Sequence, residues 1–225
     1  MCENSLSRLE KQAKGKKELL PTLAVLKRAL THLNQNQPLR SLELSEEEIA
    51  NLHPYPFLTR KKVLYACNVS EADLPSMENS YVAAVRAYAA KEGNRAIPIC
   101  AKLEEEVAQL SDEEARAFLK ELGLQETGLG RLIKEAYTAL DLISYLTTGE
   151  VETRAWTIKV GTLAPEAAGK IHTDIQKGFI RAEVVSYADM VAYRGKTGAR
   201  EAGKLRAEGK EYVVQDGDVI EFLHS

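Results

Sequence analysis

The amino-acid sequence predicts two fold classes in series, α/β plus α+β. Three observations carry this. Apolar runs at Lys62–Asn68 (KVLYACN) and Ala96–Ala101 (AIPICA) flank a stretch of helical periodicity, the β-α-β pattern of a parallel sheet. After Gly149 the pattern changes to short alternating runs with few helices, as in a small mixed module. Ahead of both, residues 4–34 place Leu6, Leu9, Leu19, Leu20, Leu23, Leu26, Leu30 and Leu33 mostly at helical spacing.

Each element has its own local signal. Gly15 and Pro21 divide the leucine run into two helices or mark a hairpin tip. The cluster Lys11, Lys14, Lys16 and Lys17 lies at that break, so an antiparallel helical arm with a basic tip is expected. Ser45-x-x-Glu48 is a capping box, and Pro54 and Pro56 end the short helix it opens. Met77–Glu92 is helical and stops at Gly93. Helices are expected at Glu104–Leu110, at Asp112–Leu122 behind Ser111-x-x-Glu114, and at Leu129–Leu146. Strands follow at Val151–Val160, Arg181–Ser186 and Asp218–Leu223, with a short one near Tyr212–Val214. Helical pieces lie around Pro165–Lys170 and Ala199–Ala207, and Asp216-Gly217 has the turn chemistry to start the last strand.

Composition narrows the function classes. Hydrophobic residues make up 44% of 225 residues, a globular value. The net charge of −3 conceals an asymmetry: residues 1–40 carry 8 Lys+Arg against 3 Asp+Glu, and residues 41–150 carry 11 against 19. A basic front and an acidic middle suggest separate surfaces with separate partners. Cys2, Cys67 and Cys100 form no CxxC pair and no disulfide framework, which points to a reducing compartment. No apolar run approaches the roughly 18 residues of a membrane span, so a soluble, cytoplasmic protein is expected. His32, His53, His172 and His224 have no metal-ligand spacing. Trp156, on a strand, is expected in the core.

The chemistry-bearing residues sit at the strand ends. In GTPases a strand ends in Asn-Lys-x-Asp, whose carboxylate accepts two hydrogen bonds from guanine. Adenine offers no such pair of donors. Here the first strand ends Asn68-Val69-Ser70-Glu71, with Val for Lys and the longer Glu for Asp. The guanine clamp is altered, so adenine becomes acceptable or preferred. Cys100-Ala101-Lys102-Leu103, after the next strand, resembles the Ser-Ala-Lys loop beneath the base, with Cys for Ser.

Further motifs extend the likeness: Arg154–Thr157 (RAWT), Ala164–Asp174 (APEAAGKIHTD), Lys177–Ala182 (KGFIRA), Glu201–Gly209 (EAGKLRAEG) and Val214–Val219 (VQDGDV). With Asn68–Glu71 they resemble the C-terminal part of YchF, the Obg-like ATPase family of translation-factor-class P-loop proteins, over essentially the whole chain. By that resemblance residues 1–57 form the second half of a helical coiled-coil arm and a linker. Residues 58–140 form the C-terminal half of a nucleotide-binding domain, a partial P-loop NTPase parallel sheet. Residues 141–225 form a TGS domain, a β-grasp module. The resemblance implies ATP in preference to GTP, Mg²⁺ as cofactor, and binding to the ribosome, through its large subunit or the whole particle. It makes Asn68, Val69, Glu71 and Ala101 the adenine site, Val69 through packing and backbone and Ala101 through its backbone.

The family's P-loop, switch segments and DxxG find no counterpart in this sequence. Gly195-Lys196-Thr197 lacks the required first glycine, which falls at Met190, and Gly169-Lys170 has Ala164 and Ile171 at the two test positions. No catalytic residue is therefore assigned, and the chain alone is expected to be inactive, whether or not it binds nucleotide. A fragment, a partial gene product or a partner chain supplying the rest would each account for this. The candidate RNA and ribosome contacts are Lys14, Lys16, Lys17, Lys170, His172, Lys177 and Arg181, because residues 170–210 carry 9 Lys+Arg against 5 Asp+Glu, with Tyr187 and Tyr193 interleaved. Neither DNA specificity nor a membrane partner is expected. The alternative is a nucleotide-independent protein-interaction module that uses the TGS surface.

Overall fold

The computed structural model describes residues 2–149 and 152–225, and it divides into two compact units, residues 1–99 and 100–225. The first unit begins with α1 (Cys2–Ala13) and α2 (Leu20–Asn34), with Pro21 in the first turn of α2. α3 (Glu46–Leu52) starts at the expected capping box: Glu48 N–H donates to Ser45 Oγ at 3.3 Å, and Ser45 N–H donates to Glu48 Oε2 at 3.0 Å. Leu9, Val25, Leu26, Ala29, Leu39, Leu52 and Phe57 form one buried cluster with Cys2. The helical leucine spacing thus becomes a shared core. Burial pushes the Cys2 thiol up, so it stays protonated.

A two-stranded parallel sheet completes this unit: β1 (Leu64–Asn68) and β2 (Arg95–Ile99), joined through α4 (Ser80–Lys91). Asn79 caps α4, its Oδ1 accepting from the N–H groups of Tyr81 and Val82 at 3.0 Å each. Gly93 closes the helix at φ +67°, a conformation L side chains rarely adopt.

A polar knot ties α4 and β1 to the segment after α2. Glu92 accepts from Arg40 (3.0 Å), Tyr65 Oη (2.8 Å), Tyr88 Oη (3.0 Å) and Asn94 Nδ2 (3.0 Å). The Arg40 guanidinium, then the Tyr65 hydroxyl, hold the Glu92 carboxyl down at about 2, from an ordinary 4.5. A carboxylate whose folded-state pKa is depressed stabilises the fold above its unfolded value, and that contribution is lost as pH falls toward the folded value. The thermal midpoint is therefore expected to fall more steeply between pH 4.5 and about 2 in this chain than in a Glu92→Gln variant. Parallel pH profiles for the two would show that the knot adds nothing.

The second unit opens with α5 (Ala101–Val107), α6 (Asp112–Glu121) and α7 (Gly128–Ala139). Glu104 reaches the start of α7, its carboxylate accepting from the N–H groups of Gly128 (2.6 Å) and Leu129 (3.0 Å). It thereby satisfies donors that have no partner inside the helix.

β3 (Leu142–Thr148) corrects the expectation of one helix over Leu129–Leu146. The helix stops at Ala139, and Asp141 turns the chain at φ +54°. Leu142–Thr148 then pairs along its length with β4 (Thr153–Lys159). The apolar residues here satisfy a helical and a strand period alike, and pairing decides between them. Val151, in the expected strand Val151–Val160, lies outside the described residues.

The rest of the unit is α8 (Ala164–Ile171), α9 (Thr173–Lys177), β5 (Phe179–Ser186), α10 (Tyr187–Ala192), α11 (Lys196–Glu201), β6 (Arg206–Glu208) and β7 (Asp218–His224). The five strands form one mixed sheet, order β4-β3-β7-β5-β6, with only β3 and β7 parallel. Ala164, Ala167 and Ala168 of α8, at i, i+3 and i+4, are fully buried against Tyr145, Ile158, Val184 and Ile220. Three methyl side chains let the helix axis lie close to the sheet.

Two further expectations are corrected. The helix expected over Ala199–Ala207 runs instead from Lys196 to Glu201, and Gly203 (φ +69°) turns the chain into β6. No strand forms at Tyr212–Val214; Val213 makes an isolated bridge to Leu163. The Asp216-Gly217 turn is present: Asp216 Oδ1 accepts from Ser144 N–H (2.8 Å) and Gly217 N–H donates to Ser144 O (2.8 Å), with Gly217 at φ +77°. Trp156 is half-buried against the core, with Arg154 over its ring at 4.3 Å.

Candidate functional site

The β1–β2 register pairs Leu64 with Arg95 and Asn68 with Ile99, so both parallel strands end level. Val69 N–H donates to Ile99 O at 2.9 Å, extending the pairing one residue further. The Asn68–Glu71 corner therefore leaves the sheet level with the end of β2, at the carboxyl ends of parallel strands. In open α/β sheets this edge is where ligands bind.

The local chemistry separates the residues of the corner. Val69 is buried (7% exposed), which restricts it to packing and backbone contacts. Asn68 and Glu71 are exposed. Asp73, two residues on, is committed to the turn: its Oδ2 accepts from Ser70 Oγ (2.8 Å) and Ser70 N–H (3.1 Å). Those bonds, the Ser70 hydroxyl first, hold the Asp73 carboxyl below the usual range. Both Asp73 and Glu71 thus put a carboxylate at this corner, Asp73 half-buried and Glu71 exposed. Ala101 opens α5 and is exposed.

A cleft of about 370 Å³ adjoins Asn68, lined also by Cys67, Asn79, Tyr81 and Val82. Asn79 and Tyr81, with Tyr81 81% exposed at its mouth, were not singled out from the sequence. Their signal there is the Asn79 helix cap alone.

The basic candidates are scattered along the fold. Lys14, Lys16 and Lys17 are exposed between α1 and α2. In the second unit Lys170 lies in the last turn of α8, Lys177 closes α9 and Arg181 lies on β5, all exposed. His172 caps α9, its Nδ1 accepting from Asp174 N–H at 3.2 Å, so one ring nitrogen is already used.

Ion pairs neutralise much of the basic 170–210 stretch. Glu183 takes Lys196 (2.7 Å), Arg200 (3.3 Å) and Arg181 (3.7 Å); Lys196 also pairs with Glu221, and Arg206 with Glu208 and Asp218. Lys196, chiefly through its hydrogen bond, holds the Glu183 carboxyl below its usual value. Sequence counting cannot register this pairing, and it lowers the charge available to a phosphate backbone.

The family model YchF-GTPase_C, described as a protein of unknown function (DUF933), matches residues 142–225. The "Ribosome-binding ATPase YchF" of Escherichia coli O157:H7 is 50% identical over 223 residues, 99% of this chain. This chain matches the C-terminal portion of the YchF family. The Bacillus subtilis "Ribosome-binding ATPase YchF" is 48% identical over 222 residues. This chain spans about 61% of the length of these YchF relatives. The solved Schizosaccharomyces pombe YchF GTPase superposes with TM-score 0.80 at 34% identity, covering 99% of this chain and 61% of that one. A GTP-binding protein from Pyrococcus horikoshii, at 17% identity and TM-score 0.54, shares the fold. Among the described residues, no helix is long and apolar enough to cross a membrane.

Proposed function

We propose that this chain carries the base-recognition corner and the ribosome-docking surfaces of a YchF-type ribosome-binding ATPase. The observation that carries the reading is the register pairing Asn68 with Ile99, with the Val69–Ile99 hydrogen bond beside it. It supports Asn68, Val69 and Glu71 as a base-binding corner at one sheet edge, and Ala101 is read with them as the adenine site. ATP is preferred over GTP, because Glu71 displaces the carboxylate by one methylene from the guanine-pairing position. Mg²⁺ and the phosphates belong to parts of the family that have no counterpart among these residues, so no hydrolytic step is assigned here.

Residues 1–57 are read as half of a coiled-coil arm, 58–140 as half of the nucleotide domain and 141–225 as a β-grasp TGS domain. The mixed sheet with α8 against one face supports the last reading. Lys14, Lys16 and Lys17 form one RNA-contacting surface, and Lys170, His172, Lys177 and Arg181 the other. A cytoplasmic location follows from a ribosomal partner.

The base reading is tested by NMR titration of this chain with Mg·ATP and with Mg·GTP. Shifts at Asn68, Val69 and Glu71 are expected with ATP at millimolar concentration, and Glu71→Asp is expected to move the preference toward GTP by about tenfold, the scale of one well-placed hydrogen bond. Silence at these amides with both nucleotides would remove the base site and leave the docking role standing alone.

A further inference from the structure

We propose that the groove between α5 and α6 is a docking site for a basic amphipathic helix of a partner protein. The groove has a volume of about 480 Å³ and is lined by Glu106, Leu110, Glu114, Ala117, Phe118 and Glu121. Its floor is apolar: Leu110 is 37% exposed, Ala117 is exposed, and Phe118 is half-buried while its neighbour Leu119 fills the core. Its rim is three carboxylates. On α6, Glu114 and Phe118 are four residues apart, as are Ala117 and Glu121, so charge and apolar surface share one helix face.

Charge complementarity selects the occupant. Residues 101–126 carry 8 Asp+Glu against 3 Lys+Arg. That field repels an RNA backbone or an anionic membrane. Hydrogen bonds from the Ser111 hydroxyl, then from its N–H, hold the Glu114 carboxyl below its usual range. A lone cation gains nothing from a floor of Leu110 and Phe118. A helix satisfies both halves: an apolar side chain on the floor, with Lys or Arg one turn away on each side to meet the carboxylates. The groove shares no residue with Asn68–Glu71 or with the basic candidates, so its test does not depend on them.

The probe is a synthetic helix of about 14 residues with Leu on one face and Lys on the other, read by fluorescence anisotropy against the whole chain. Its control is a scrambled peptide of the same composition. The amphipathic peptide is expected to bind about tenfold or more tightly than the control, and to weaken as salt rises. Phe118→Lys and, separately, Ala117→Arg are each expected to weaken it at least about tenfold. Ala117 is exposed, so its variant blocks the groove while leaving the core untouched; circular dichroism checks both folds. Equal binding of the two peptides, or unchanged binding by Ala117→Arg, would overturn the proposal. So would concentration-dependent self-association of the chain alone, lost in Ala117→Arg, since a second copy would then cover the groove.

Discussion

If this chain docks on ribosomes as proposed and each lysine contacts one phosphate, replacing Lys14, Lys16 and Lys17 together by Glu is expected to lower the affinity by about 10²–10³-fold near 0.1 M salt. The reasoning is electrostatic. Each lysine that neutralises a phosphate releases a condensed counterion, so the slope of log affinity against log salt flattens by roughly one per lost contact. All three side chains are exposed, between helices that share a fixed core, so the change leaves Leu9, Val25 and Leu26 undisturbed. The comparison with Lys170→Glu and Lys177→Glu is informative. The second unit already spends Arg181, Lys196, Arg200 and Arg206 on its own carboxylates. Its share of the salt slope is therefore smaller than its sequence charge suggests. Co-sedimentation with ribosomes across a salt series measures both. An unchanged slope in the triple variant would show that the basic tip does not touch RNA.

Tyr145→Ala destabilises the second unit by about 3–5 kcal/mol, the usual cost of removing a buried aromatic ring. Tyr145 is fully buried, packs edge-on against Phe222 with ring centroids 5.8 Å apart, and donates its hydroxyl to Ala167 O at 2.8 Å. Burial alone pushes its phenol well above the ordinary value, so it remains a donor through the accessible pH range. Tyr145→Phe keeps the ring and loses only the bond to α8, for about 1–2 kcal/mol. The difference between the variants, read by denaturant unfolding, separates cavity from hydrogen bond. Equal losses would mean that the Ala167 contact, not the ring, holds α8 to the sheet.

Much of the local structure is legible in the sequence, because its causes are local. Ser45-x-x-Glu48 and Ser111-x-x-Glu114 start α3 and α6 where they stand, since a capping box involves four neighbouring residues. Gly93 and Gly217 take positive φ, as their places after a helix and before a strand require. The apolar runs Lys62–Asn68 and Ala96–Ala101 on either side of a helical stretch point to a parallel pair, and the structure ends the second strand at Ile99, level with Asn68. The elements misread are those where local signals are ambiguous. Leu142–Thr148 suits a helix or a strand, and its partners decide: β4, 11 residues later from Thr153, and Val219 of β7. Val213 has strand-forming chemistry, but the chain turns away after a single bridge.

For the candidate site, the sequence by itself determined which groups are available: an amide, a buried valine and a glutamate in one corner, and lysines at a helix break. Residue type and short-range spacing fix these. The tertiary structure alone decided which of them remain exposed. Ser70 binds Asp73, Glu71 lies at the surface, and Glu183 gathers Lys196, Arg200 and Arg181. It also placed Tyr81 beside the Asn68 cleft and gathered Leu110 and Phe118 with three carboxylates along one groove. Ion pairing and groove formation depend on distances between residues far apart along the chain, and only folding sets those distances.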